Sequence, residues 1–122
     1  MGDWVKGQIL ELTSSGAISK GKKVTVFRDF SQSDREKGST VSCNFQGTFY
    51  DITSTHLVEV KSPMWKKGQA AVIIESGAIS RGTFLTVEKD FSVEDIKRGN
   101  SVQCSYKSET FYVSPHHLGD PN

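Results

Sequence analysis

Ser15-Gly16-Ala17-Ile18-Ser19-Lys20-Gly21 returns as Ser76-Gly77-Ala78-Ile79-Ser80-Arg81-Gly82, at the same spacing that separates Trp4 from Trp65. Self-similarity at a fixed period is the signature of a repeated structural unit. Working outward, Trp4-Val5-Lys6-Gly7-Gln8 matches Trp65-Lys66-Lys67-Gly68-Gln69, and Asp29-Phe30-Ser31 with Asp34 and Gly38 matches Asp90-Phe91-Ser92 with Asp95 and Gly99. Val41 and Cys43 match Val102 and Cys104, and His56-Leu57 matches His117-Leu118. Thr48-Phe49-Tyr50 aligns with Thr110-Phe111-Tyr112 once a residue is inserted. The chain therefore reads as two head-to-tail copies, 1–61 and 62–122, with the boundary at Lys61-Ser62-Pro63-Met64. So short a linker predicts that the copies pack in a fixed orientation rather than as beads on a string.

Within each copy the apolar residues alternate. Val24-Thr25-Val26 (Leu85-Thr86-Val87) and Val41-Ser42-Cys43-Asn44-Phe45 (Val102-Gln103-Cys104-Ser105-Tyr106) have the period of two expected of half-buried strands. Between them, Ser31 with Asp34, and Ser92 with Asp95, read as capping boxes that open one short helical turn, stopped by Gly38 or Gly99. Further strands are expected after Gly7 and Gly68, at Phe49-Tyr50 and Phe111-Tyr112, and at Val58-Glu59-Val60. The second copy ends in Gly119-Asp120-Pro121-Asn122, which predicts a weak or missing last strand and an edge to be covered by the other copy or a partner. In order and size this succession resembles the SH3-like small barrel, a group that includes Tudor-like and KOW-like domains, with Thr53-Ser54-Thr55-His56-Leu57 at the turn before the last strand. The resemblance implies an all-β fold of two tandem five-stranded barrels, each with a short helical turn, packed as a pseudo-twofold pair. One small barrel hosts many functions, so function has to be argued from the site.

Composition narrows the classes. Hydrophobic residues make up 35% and charged residues 24%, with 15 Lys and Arg against 14 Asp and Glu for a net charge of +1. A dominant nonspecific nucleic-acid mode needs a clear basic excess, because phosphate neutralisation supplies most of its affinity. No stretch has the form of a signal peptide or a membrane span, and Lys6 stands where a myristoylation site after Gly2 needs Ser or Thr, so a soluble, cytoplasmic chain without membrane contact is expected. Cys43 and Cys104 hold equivalent places in separate units, as buried free thiols would.

No catalytic signature stands out. The histidines are His56, His116 and His117, with no C-x-x-C or H-E-x-x-H spacing and nothing that fixes a nucleophile beside a base. The expectation is a non-enzymatic binding protein with no catalytic residue, cofactor or metal. Exposed aromatics are the first candidates for a protein-partner surface: Trp4, Phe27, Tyr50, Trp65 and Tyr112, with Phe27 on the outward side of its strand and Glu88 as its counterpart. An alternative places a nucleic acid, nucleotide or other phosphorylated ligand at the two Ser-Gly arcs, through Ser15, Gly16, Lys20, Lys22, Lys23, Ser76, Gly77 and Arg81. A third reading is a structural or oligomer-forming protein. Ala70-Ala71-Val72-Ile73-Ile74 is apolar on both faces where the first copy has Glu11 and Thr13, which puts Val72 and Ile74 at an inter-repeat or homodimer interface.

Overall fold

A computed structural model describes residues 3–61 and 63–121. The readings placed on Gly2, on Ser62 of the linker and on Asn122 lie outside the described residues.

The fold is all-β, two antiparallel five-stranded sheets with little helix. The first contains β1 (Ile9–Leu12), β2 (Lys23–Val26), β3 (Thr40–Phe45), β4 (Thr48–Thr53) and β5 (Leu57–Glu59), in the order β4-β3-β2-β1-β5. The second contains β6 (Ala70–Ile73), β7 (Phe84–Val87), β8 (Val102–Tyr106), β9 (Glu109–Val113) and β10 (Leu118–Gly119), in the order β10-β6-β7-β8-β9. The sheets are not closed into barrels: among the described residues no pairing joins β4 to β5 or β9 to β10. The chain instead crosses between those strands in single 3₁₀ turns, Ser54–His56 and Pro115–His117.

Period-two alternation places the inward residues. Leu10, Val24, Val26, Val41, Cys43 and Leu57 pack with Trp4 and Phe30 in the first core, and Ala71, Ile73, Leu85, Val87, Val102, Cys104 and Leu118 pack with Trp65 and Phe91 in the second. The predicted helical turns are α1 (Gln32–Glu36) and α2 (Val93–Lys97). At α1 the Asp34 amide donates to Ser31 Oγ at 3.1 Å while the Ser31 amide donates to the Asp34 carboxylate at 2.9 Å. The Ser92 amide donates to Asp95 in the same way at 2.9 Å.

The last strand of the second copy is short, as expected of a weak one, but not missing: β10 pairs antiparallel with β6, Leu118 opposite Ile73 and Gly119 opposite Val72, so the edge of β6 is covered within its own unit. Two residues suffice because Leu118 is fully buried in the core. The inserted residue, by contrast, does not exist. Both hairpins turn in two residues, Phe45 opposite Thr48 and Tyr106 opposite Glu109, so Tyr50 corresponds to Phe111 and Asp51 to Tyr112. Local identity in Thr-Phe-Tyr misleads because Lys107-Ser108 lacks the glycine that marks the turn in Gln46-Gly47.

The packing of the two units departs from a pseudo-twofold. Thr25 Oγ1 on β2 donates to the Leu118 carbonyl on β10 at 2.7 Å, Gln46 Nε2 donates to the Pro121 carbonyl at 3.1 Å, and Lys23 lies 3.8 Å from Asp120. A twofold would bring Thr86 against Leu57 in return. Thr86 is exposed instead, as are Val58 and Glu59 beside Leu57. The contact is asymmetric: the outer face of the first sheet receives the tail of the second, while Ile9 and Val60 of the first unit pack into the second core.

Candidate functional site

The asymmetric packing leaves equivalent faces in different states. Across the outer face of the first sheet runs a row of mutually opposed residues, Ile9, Thr25, Asn44 and Phe49. Three of the four are buried: Thr25, at 0% exposure, against Leu118 and Gly119 of the second unit's tail, Ile9 in the second core with its amide on Met64 Sδ at 3.1 Å, and Asn44, while Phe49 stays 57% exposed. The matching row on the second sheet is Ala70, Thr86, Ser105 and Thr110. Ala70, Thr86 and Thr110 are exposed and Ser105 half-buried. Phe84, one row further, is 62% exposed, and Tyr112, one row the other way, is 70% exposed. By strand spacing these rings stand about 13 Å apart along the strands and about 10 Å across them. Between them Glu88 accepts from Gln103 Nε2 and Thr110 Oγ1, each at 3.1 Å. Tyr112 also walls a hollow of about 280 Å³ with Lys89, Asp90, Asp95 and Asn100.

The expected aromatic residues divide. Tyr112 is on the surface, but Tyr50 is not its equivalent and packs against the first core, while Phe49 beside it points outward at 57% exposure. In the second copy the sides are exchanged: Phe111 packs inward and Tyr112 outward. Trp4 and Trp65 are buried, which corrects their placement on an exposed surface. Trp4 stacks on Phe30 at 5.7 Å, lies under the Arg35 guanidinium at 4.4 Å, and donates Nε1 to Glu59 at 3.0 Å. Phe27 is half-buried, edge-on to Phe49 at 4.7 Å and 6.1 Å from the His116 ring. Phe84 was missed because a lone Phe opening a strand looks like core until the register shows that it faces out.

The two Ser-Gly arcs each arch over a small hollow, about 170 Å³ in the first unit and about 130 Å³ in the second. These hollows are walled by equivalent residues, among them Ile18 and Tyr50 in one and Ile79 and Phe111 in the other. Their amides are engaged: Gly16 N–H donates to Ile18 and Gly77 N–H to Ile79, while Ser15 and Ser76 hydroxyls accept from the amides of Lys20 and Arg81. Lys20, Lys22 and Lys23 line neither hollow and sit together with Asp120 around a separate surface depression, and Arg81 reaches the Gly47 carbonyl at 3.4 Å. The three lysines therefore gather with one another but not with the Ser-Gly arcs or with Arg81.

Val72 and Ile74 are both buried. A Cβ on Gly119 would lie 2.8 Å from Ile74 Cγ2 and 3.5 Å from Thr25 Oγ1, which puts Ile74 beside the strand that meets the first unit.

One cluster has no counterpart in the sequence expectations. Glu75, His116 and His117 each offer a ligand atom within 4.8 Å of the others, and all three are half-buried. His116 is held below the ordinary histidine value first by burial and then by the charges of His117 and Lys6, with Glu75 opposing. No spacing rule finds this group, because Glu75 and the His pair meet only through the pairing of β10 with β6.

No family model matches the chain, and no curated protein matches it.

Proposed function

We propose that the protein is a non-enzymatic binding module that docks a protein partner on the bare outer face of its second sheet, with Phe84 and Tyr112 as anchors. The observation that carries this reading is the contrast between equivalent rows: Ile9, Thr25 and Asn44 of the first sheet's row are buried, Thr25 under the tail of the second unit, and the second sheet's row stands open between two exposed aromatic rings. Aromatic anchors dominate most protein interfaces. The Leu118–Pro121 segment on the first sheet supplies the template for the partner: an extended strand lying across the pleats.

The strand order β4-β3-β2-β1-β5, with a 3₁₀ turn before the last strand, supports an SH3-like tandem unit as the scaffold. Among the described residues no helix is long and apolar enough to cross a membrane. Two free, buried thiols in separate cores suit a reducing compartment such as the cytoplasm.

The test is capture from a cell lysate with the wild type, with Phe84→Ser/Tyr112→Ser, and with a Lys37→Ser control on the other unit. Proteins retained by wild type and control at 0.5 M salt (about 4 Å screening) but lost from the double variant are the expected result. Retention of the same set by all three, or its loss at high salt from all three, overturns the reading.

A further inference from the structure

We infer that Glu75, His116 and His117 form a divalent transition-metal site on the second unit. Glu75 stands two residues past the end of β6, and the histidines occupy the 3₁₀ turn that delivers the chain to β10, so strand pairing holds both sides of the site. His117 Nε2 lies 3.2 Å from Glu75 Oε1, and the His116 and His117 rings are 4.3 Å apart at 66°. In a tetrahedral site with bonds of about 2.1 Å, neighbouring ligand atoms stand about 3.4 Å apart. The Glu75–His117 pair already has that separation. With all ligand atoms within 4.8 Å of one another, His116 has at most about 1.4 Å to close to reach that separation.

The second copy also gains carboxylates at Glu88, Glu94 and Glu109, but only here does it gain a histidine and a carboxylate together. The equivalents of Glu75 and His116 in the first unit are Ser14 and Thr55, and only His56 matches His117. Both additional ligands in the second copy thus converge on the shared histidine. The first unit buttresses the turn that carries them: Gly7 packs against Pro115, and Phe27 stands 6.1 Å from the His116 ring. Glu75 and His117 also wall the hollow of about 130 Å³ under the second arc, which gives a fourth coordination position room for water or a small ligand.

Two imidazoles and one carboxylate suit Zn²⁺ with an open position, and by the usual affinity order Cu²⁺ and Ni²⁺ compete for such a set. Ca²⁺ and Mg²⁺ need six or more oxygens and are excluded by the same donors. Calorimetric titration of the intact chain with Zn²⁺ alone is the test. One equivalent should bind saturably, and Co²⁺ in its place should give the visible absorption of a tetrahedral centre. Glu75→Gln and His116→Asn should each weaken binding about tenfold or more, while His56→Asn should not. Circular dichroism of each variant separates lost ligation from lost folding, and Glu75→Gln keeps the size and shape of the side chain. Absence of saturable binding, unchanged affinity in both folded site variants, or loss on changing His56 overturns the assignment.

Discussion

Cys43 and Cys104 were placed by their repeat positions, and their chemistry follows from burial. Removal from water disfavours the thiolate, pushing Cys43 up to about 12 with a smaller contribution from Asp51, and Cys104 up to about 11 with a smaller one from Glu88. Neither should react with iodoacetamide at pH 8 in the native protein, and both should react in urea, as mass spectrometry would report. The same shifts act on stability. An unfolded thiol ionises near 9.0, so above that pH the unfolded chain binds fewer protons than the folded one and stability falls as pH rises. The decline runs from about 9 to about 11 for Cys104 and to about 12 for Cys43, approaching about 1.4 kcal/mol per pH unit per thiol. Urea midpoints across that window should flatten in a Cys43→Ala/Cys104→Ala variant; an unchanged slope would contradict the assignment. Residue identity made these thiols legible, whereas the outward face of Phe84 and the convergence on His117 were not, since side-chain direction depends on register.

At the scale of elements, the two tight turns carry unequal strain. Gln46 and Gly47 have φ of 52° and 94°, and Lys107 and Ser108 have φ of 52° and 68°. A left-handed backbone costs a residue bearing a Cβ roughly 1–2 kcal/mol, and Ser108 bears it where the first copy has glycine. Ser108→Gly should therefore stabilise the protein, by about 1 kcal/mol in equilibrium unfolding. A destabilised variant would contradict the turn geometry. Ser31→Ala removes the oxygen that accepts from Asp34 N–H and should cost about 1 kcal/mol; an effect within error would show that tertiary contacts, and not the cap, hold α1. The capping boxes were readable in sequence because their spacing is local. The second turn was not, for lack of a glycine, and that omission displaced the equivalence of Tyr50 and Tyr112.

At the scale of the whole molecule, stability depends on a close approach at Gly119. Gly119→Val, which installs the residue found at the equivalent Val58, drives a branched side chain against Ile74 Cγ2 and Thr25 Oγ1. Overpacking of this kind costs about 1–3 kcal/mol. Because the segment displaced by the clash with Ile74 also rests on Thr25 of the first unit, amide exchange at Thr25 and Leu118 should accelerate more than at Val41 or Val102. Uniform acceleration would mean that the units unfold as one and that the interface has no separate weakness. The same asymmetry predicts that Thr86→Arg, on the bare face, leaves the unfolding midpoint within about 0.5 kcal/mol of wild type, whereas Thr25→Arg, on the covered face, buries a charge without a partner and destabilises strongly.

The sequence by itself determined the duplication, the all-β character, the capped helical turns and most of the two cores, because each rests on local periodicity and short-range hydrogen bonds. Only the tertiary structure decided which of two equivalent faces is covered, that the sheets stay open, that the last strand of the second copy forms, and that Glu75 meets His116 and His117. These depend on long-range pairing of β10 with β6 and on its contact with β2. Two nearly identical copies carry the same local instructions, so the difference between them arises from packing one copy against the other in an asymmetric way.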